Sequence, residues 1–437
     1  MVTEVISVHF HEHEVGAASF DSSTGIGYFE YAPKFLASGL ELAPLTMPLS
    51  PRIYSFAGLN IETFKGLPGL LADSLPDDFG NAVLNAWAAA QGMSASQITP
   101  LQRLQYTGSR GMGALEYRPA TQIKSLNAAQ KIALDVLLET AQQVLNERAD
   151  FNQSIVPNRA DSEAMLALLS VGTSAGGARP KAVLAFNQDF TQVRSGQVEA
   201  AEGFSHYLLK FDGVSDKNSN QETFGDPLGF GVMEYVYYLM ATSCGIDMMP
   251  CHLLEEGSRR HFLTQRFDRE ENNKIHVQTL TGLAHVDYKR PGSYSYAELF
   301  ALARQLKLPA YDAEQLLKRL VFNLVARNHD DHAKNFSFML KEGRWRLAPA
   351  YDLAYSYKPG SPWVNSHWMS LNGKRDGFNR ADLYSLERLS PLFSRSKIDA
   401  VLAEVLAAVS QWPKLSKEWQ VPVALQNEVH SNLRLSW

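Results

Sequence analysis

The stretch that decides the fold is Asn328-His329-Asp330-Asp331-His332-Ala333-Lys334-Asn335, which runs on through the strand NFSFML, the turn KEG and the return RWRLAPAYD to Asp352. Four residues lie between Asp330 and Asn335. That is the carboxylate-to-amide spacing of a kinase catalytic loop, in which the Asp accepts a hydroxyl proton and the Asn holds a magnesium ion. The spacing also arises by chance, so the flanking sequence carries the weight. A hairpin turning at Gly343 puts Asn335 eight residues before the turn and Asp352 nine after it, and predicts the two side by side. Two oxygen donors at a hairpin mouth suit a hard, water-retaining cation such as Mg²⁺. Two other readings use the same residues. The polar run could cap the helix LLKRLVFNLVARN and solvate its turn. Alternatively, His329 and His332 could open a zinc site, which would need a third ligand and would place Lys334 beside the metal.

Upstream, a phosphotransfer site should hold nucleotide. Gly172-Thr173-Ser174-Ala175-Gly176-Gly177-Ala178-Arg179-Pro180-Lys181 leads into KAVLAF. Its glycines permit close backbone approach to phosphate. It is not a P-loop, because Ala178-Arg179 stands where Lys-Ser/Thr is required, and taken alone such a segment is more often a plain loop. Lys210 ends the strand HYLLK. A lysine on a half-buried strand needs a partner, and Glu234 on the following helix is the candidate. The other reading is a surface lysine at a strand end. RHFLTQRFDRE supplies a strand and a hinge for adenine. His9, His11 and His13 read as one strand face, polar and exposed rather than metal-binding. Trp363 and Trp368 read as packing residues.

Length and composition set the frame. The chain has 437 residues, enough for two or three domains. Hydrophobic residues at 45% and charged residues at 20% exclude disorder and coiled coil. Lys+Arg 41 against Asp+Glu 46 gives 41 − 46 = −5, which excludes direct non-specific nucleic-acid binding. Two cysteines, Cys244 and Cys251, make neither a disulfide framework nor a cysteine-based zinc site, and they predict a cytoplasmic protein. The N-terminal residues lack a signal-peptide pattern. The most apolar run, Val236 to Ile246, is too short to span a bilayer. Strands dominate the first 60 residues. A helix is expected over Leu70–Gln91, capped by Asp73 or Ser74, and another over residues 125–149. From about residue 270 the chain reads as mainly helical with one hairpin. The fold class is α+β.

In this order, Ser174-x-x-Gly177-Ala178-x-x-Lys181, Leu209-Lys210, Glu234-Tyr235, Gln265-Arg266-Phe267-Asp268-Arg269, Asp330-x-His332-Ala333-Lys334-Asn335-Phe336-Ser337 and Tyr351-Asp352 resemble the HipA family of serine/threonine kinase toxins. SLPDDFGNAVLNAW and LQYTGSRGMGALEY resemble that family's small N-terminal domain. The resemblance covers nearly the whole chain. It implies a bilobal protein-kinase-like fold with a β-rich N-terminal subdomain (1–120), a kinase N-lobe (121–269) and a helical C-lobe (270–437). It implies ATP and Mg²⁺ as cofactors. Asp330 would be the catalytic proton acceptor, with Asn335 and Asp352 on the metal. ATP would be held by Gly176, Gly177, Ala178, Arg179, Pro180, Lys181, Lys210, Gln265, Arg266, Phe267, His332, Ala333, Lys334, Asn335, Tyr351 and Asp352. Glu234 would form the structural ion pair, and Ser174 would be autophosphorylated to silence the enzyme. The implied partners are a helix-turn-helix antitoxin, operator DNA reached only through it, and a protein substrate such as an aminoacyl-tRNA synthetase, with no membrane. A small-molecule kinase and a non-catalytic co-repressor are the other classes that the residues allow.

Overall fold

The structure is a computed structural model that describes residues 4–121, 137, 139–142, 180–215, 225–226 and 228–437. The Gly-rich segment 172–179 with Ser174, Gly176, Gly177, Ala178 and Arg179 lies outside the described residues, as does most of the helix expected over 125–149. The chain forms two compact units. The first is Met1–Ala43, Met47–Gly231 and His252–Val277; the second is Pro44–Thr46, Val232–Cys251 and Gln278–Trp437. The division expected at residue 120 therefore falls inside one compact unit.

In the first unit, β1 (Glu4–Phe10), β2 (His13–Asp21), β3 (Ile26–Tyr31) and β4 (Leu115–Arg118) form an antiparallel sheet in the order β3-β2-β1-β4. The expectation of three histidines on one strand face is corrected here. His9 ends in β1 opposite Glu14, His11 sits in the turn with φ 52°, and His13 opens β2 opposite Phe10. Alternation of polar residues continued through a tight turn and imitated a single strand. Helix α1 (Asp78–Ala90) starts later than expected, and neither Asp73 nor Ser74 caps it. The N-cap is Asp77, whose Oδ1 accepts the Gly80 N–H at 2.6 Å. Helix α2 (Pro100–Thr107) begins with a reciprocal capping box, Thr99 with Gln102.

The second sheet of this unit is built from β5 (Lys181–Asn187), β6 (Val193–Ser195), β7 (Phe204–Lys210), β8 (Cys251–Glu256) and β9 (Arg259–Gln265), in the order β8-β9-β7-β5-β6. Leu184, Leu209 and Leu263 from three adjacent strands are fully buried in one cluster with Phe79 and Val83 of α1. Each such side chain contributes on the order of 1.5–3 kcal/mol by leaving water.

Helix α3 (Phe230–Ser243) passes from the first unit into the second, where α4 (Tyr296–Gln305), α5 (Ala310–Val325), α6 (Arg395–Val409) and α7 (Val423–Asn432) follow. Helix α5 is the centre of this unit. Leu316, Leu317, Leu320, Val321, Phe322, Leu324 and Val325 are all fully buried, and Gln315, Arg319 and Asn323 are buried with them, so the helix is enclosed on most sides. Between α5 and α6 lies the hairpin of β10 (Ser337–Lys341) and β11 (Arg344–Leu347). Its turn is Glu342-Gly343, with both φ values positive at 50° and 72°, the mirror-image turn that matches strand twist. Among the described residues no helix is long and apolar enough to cross a membrane.

Candidate functional site

Helix α5 delivers the Asp330 loop. The helix stops because Arg327 takes a left-handed conformation (φ 57°) and the Asn328 N–H returns to the Asn323 carbonyl at 3.0 Å, the closing bond of a Schellman end. Tyr237 Oη, from α3, donates to the Ala326 carbonyl at 2.7 Å and satisfies another helix-end acceptor. The Asn328 side chain then donates to Asn323 Oδ1 at 2.9 Å, so the chain leaves the helix along a fixed path.

The two adjacent aspartates have opposite environments. Asp331 is fully buried, and its carboxylate accepts from Tyr296 Oη (2.6 Å), His367 Nδ1 (3.0 Å), the Trp368 N–H (2.7 Å) and the Met369 N–H (3.4 Å). It ties the loop to α4 and to the segment 367–369. The Asp330 side chain is 36% exposed, and its carboxylate has His332 Nε2 at 3.7 Å. Of the two, Asp330 is the one open to solvent.

Asn335 sits in a short turn before β10. Its Nδ2 donates to the Asp330 carbonyl at 2.7 Å, which leaves Oδ1 as the atom the amide offers as a ligand. The hairpin register pairs Phe338 with Leu347, and Ala348 N–H donates to the Ser337 carbonyl. That register carries Ala350, not Asp352, opposite Asn335. Asp352 lies two residues further on, in a left-handed conformation (φ 57°) that is uncommon outside Gly, Asn and Asp. Asn335 and Asp352 nevertheless line the same small cleft, together with Arg319, Asn328 and Tyr351. Two hard oxygen donors in one cleft fit a magnesium ion. Tyr351 Oη donates to the Lys334 carbonyl at 2.6 Å and pins the loop to the segment carrying Asp352. Among the described residues, no group of three or more His, Cys, Asp or Glu could hold a metal.

Three residues of this construction escaped the sequence reading. Arg319 is buried in α5 and donates to the Ala348 carbonyl at 2.6 Å, and burial pushes its guanidinium down to about 10. Tyr296 and His367 act through Asp331. A single arginine inside the apolar run LLKRLVFNLV was a signal for the first; nothing local marked the others.

The remaining expected residues lie in the first unit, apart from Glu234, which is buried on α3 in the second. Lys181 opens β5 and Lys210 ends β7, and the register sets them directly opposite each other. Both are buried, at 3% and 6% exposure. Like charges facing across a ladder repel, so this sheet end must be balanced by anions. Asp77 supplies one, with Oδ2 3.4 Å from Lys181 Nζ. The chain beyond Lys210 is fixed by Asp212, whose Oδ1 accepts the Gly229 and Gly231 N–H groups at 2.9 and 3.2 Å. Gly231 is required there, since a Cβ would lie 2.3 Å from the Arg260 carbonyl oxygen.

In the expected hinge, Gln265 pairs with Tyr207 across the sheet and Phe267 is half-buried. Arg266 is buried in a different task. Its Nε and Nη2 make a two-point pair with Asp268 at 2.9 and 2.8 Å, while Arg269 Nη1 reaches the same carboxylate at 2.8 Å. Arg269 also donates to the Gly111 and Gly113 carbonyls, and the Gly113 N–H donates to Asp268. Both arginines hold the Asp268 carboxyl far below its usual range against the opposing effect of burial. This network joins the loop before β4 to the second sheet.

Comparison with known proteins bears on the family and the fold. Residues 6–118 match the HipA N-terminal domain, and residues 173–412 match the HipA-like C-terminal domain, which is more than half of the chain. The protein named "Putative kinase Y4mE" of Sinorhizobium fredii is 31% identical over 124 residues, 26% of this chain and 30% of that protein. The serine/threonine-protein kinase toxin HipA of Shewanella oneidensis is 20% identical over 378 residues, 80% of this chain and 75% of that one. A HipA structure from Shewanella oneidensis, solved with HipB and operator DNA, superposes with a TM-score of 0.64 at 18% identity, covering 98% of this chain and 95% of that chain. With both domain types present in order and the fold shared along the chain, the protein belongs to the HipA family.

Proposed function

We propose that this chain is an ATP-dependent serine/threonine protein kinase and the toxin of a toxin–antitoxin pair. The observation that carries the proposal is the divided pair of aspartates. Asp331 is buried and fully engaged at the wall of the cleft that Asn335 and Asp352 line, while the Asp330 side chain stays open and its carbonyl is held by Asn335 Nδ2 at 2.7 Å. In this reading Asp330 accepts the proton of the attacking hydroxyl. Asn335 and Asp352 would hold Mg²⁺, which when bound screens the phosphate charge. Lys181 and Lys210, facing each other at one end of the second sheet, bind phosphate oxygens. Gln265 and Phe267 carry the adenine. His332, Ala333, Lys334 and Tyr351 support the nucleotide from the loop side.

Finer parts of the proposal rest on the family. The Shewanella HipA chain was solved with HipB and operator DNA, so a helix-turn-helix antitoxin is the proposed partner here, with DNA reached through it. The acceptor is a protein of the translation machinery, such as an aminoacyl-tRNA synthetase. Ser174 is the proposed autophosphorylation site, where a charge of about −1.5 to −2 would repel the nucleotide phosphates. The direct test is incubation of the purified protein with Mg²⁺ and γ-labelled ATP, followed by peptide mass spectrometry. We expect phosphate on serine or threonine hydroxyls and on Ser174 itself, with no transfer by Asp330→Asn despite nucleotide affinity within a few-fold of wild type. Retained transfer by Asp330→Asn would remove the proposed base. Phosphate confined to Ser170 or Thr173 would remove the Ser174 assignment alone.

A further inference from the structure

The catalytic-loop side of the second unit carries an aromatic strip, of which only His332 enters the nucleotide reading above. His332 Nε2 is 3.7 Å from Asp330 Oδ1. The His332 ring packs edge-on against Trp368 (centroids 5.7 Å apart, planes at 89°) and against Tyr288 (5.5 Å, 61°). Trp363 stacks on Trp368 with planes 6° apart and centroids at 5.9 Å. The inner indole is buried, but Trp363 is 51% exposed, among the largest apolar side chains left in solvent.

Sequence reading took both tryptophans for packing residues. Trp368 is buried and Trp363 stacks on it, with about half of the Trp363 side chain left exposed. The loop that carries it is fixed from within. The Ser361 hydroxyl accepts the Trp363 and Val364 N–H groups, each at 3.2 Å, and the Gly360 N–H donates to Asn365 Oδ1 at 2.8 Å. A rigid, exposed indole loses little entropy on meeting a partner.

The strip also has a charged border. Lys334 Nζ lies 4.6 Å and Lys289 Nζ 6.0 Å from the Tyr288 ring centroid, and Arg290 beside them is exposed. The acidic groups on this border are Asp330 and the half-buried Asp287. Cations therefore predominate at one end and an apolar face at the other. An acceptor hydroxyl must arrive at Asp330, so its flanking chain crosses one or both. The three contacts from Asp330 to Trp363 correspond to at most about five extended residues at ~3.3 Å each.

We propose that the strip Trp363–Trp368–His332–Tyr288 is the docking platform for the acceptor polypeptide. It takes an extended segment with an aromatic or large aliphatic side chain within five residues of the phosphorylated serine or threonine, set on Trp363. An acidic side chain on the other side of the hydroxyl meets Lys289 and Arg290. The proposal rests on the kinase reading above and gives that reading a sequence preference.

The test uses fluorescein-labelled serine peptides: one with Phe four residues from the serine and Glu residues on its other side, and controls with Ala for Phe or Lys for Glu. Anisotropy measures binding whether or not phosphate moves, and γ-labelled ATP measures transfer. We expect the Phe/Glu peptide to bind about tenfold more tightly than either control, and Trp363→Ala to raise its Kd and KM about tenfold with kcat changed less than twofold. Trp363→Phe should restore most of the affinity, which a misfolded loop would not. Val423→Ser, at a more exposed apolar site on α7, should change nothing. Equal binding of all peptides, or unchanged KM in Trp363→Ala, would overturn the platform. So would a dimer in wild type that Trp363→Ala abolishes, because the face would then cover a second copy. Selective binding without any transfer would instead sink the kinase reading and leave the platform standing.

Discussion

The same substitution at two neighbouring residues should give opposite results. Asp331→Asn keeps shape but replaces one carboxylate oxygen with an NH₂ group. Asp331 Oδ2 accepts from Tyr296 Oη at 2.6 Å and His367 Nδ1 at 3.0 Å inside a fully buried pocket. Two hydrogen bonds to a charged acceptor are lost there, each contributing on the order of 1.5–3 kcal/mol, and relief of the buried charge offsets part of the loss. A net destabilisation of about 3 kcal/mol follows, which for a unit of this size lowers Tm by on the order of 10 °C. Asp330→Asn acts on a side chain that is 36% exposed, with His332 at 3.7 Å. Its effect on stability should stay within about 1 kcal/mol, or roughly 3 °C, while loss of a general base lowers transfer by about 10²–10⁴. Differential scanning fluorimetry gives the first quantity and transfer from γ-labelled ATP, measured well below both midpoints, gives the second. Asp331→Asn should retain at least about a tenth of the activity when folded. An Asp331→Asn protein as stable as wild type but inactive, beside an active Asp330→Asn, would refute the reasoning and reassign the base.

Three further outcomes are expected. Asn335→Ala and Asp352→Ala should weaken ATP binding in the presence of Mg²⁺ but not in EDTA, by calorimetry; equal affinities in wild type and both variants would remove the metal role. Asp268→Asn leaves Arg266 and Arg269 buried around a neutral amide, so urea unfolding should show a loss of about 3–5 kcal/mol; a loss below about 1 kcal/mol would show the network to be dispensable. His261 is fully buried, its Nδ1 accepts the Asp212 N–H at 2.9 Å, and burial pushes its pKa down to about 4. The unfolded chain takes up that proton near pH 6.5 and the folded chain only near 4, so the histidine's contribution is full above about 6.5 and is lost as pH falls toward 4. His261→Gln should flatten the decline of the urea midpoint between pH 7 and 5; an unchanged slope would show that His261 does not carry it.

What the sequence disclosed and what it hid follow from the range over which each interaction acts. The nearness of Asn335 and Asp352 was legible because a tight turn and a two-strand register act over a few residues, and the error in that register was two positions. The histidines at 9, 11 and 13 were misread for the same local reason, since alternation with period two says nothing about whether the chain reverses between them. The cap of α1 was misplaced because Asp77 is fixed from far away as well as locally: it accepts the Gly80 N–H and faces Lys181. Asp331 is the sharpest case. Its partners Tyr296, His367 and Trp368 lie 35 to 37 residues off along the chain, so nothing around it distinguishes it from Asp330. The fold separates the two carboxylates by turning Asp331 inward onto four donors and leaving the Asp330 side chain 36% exposed.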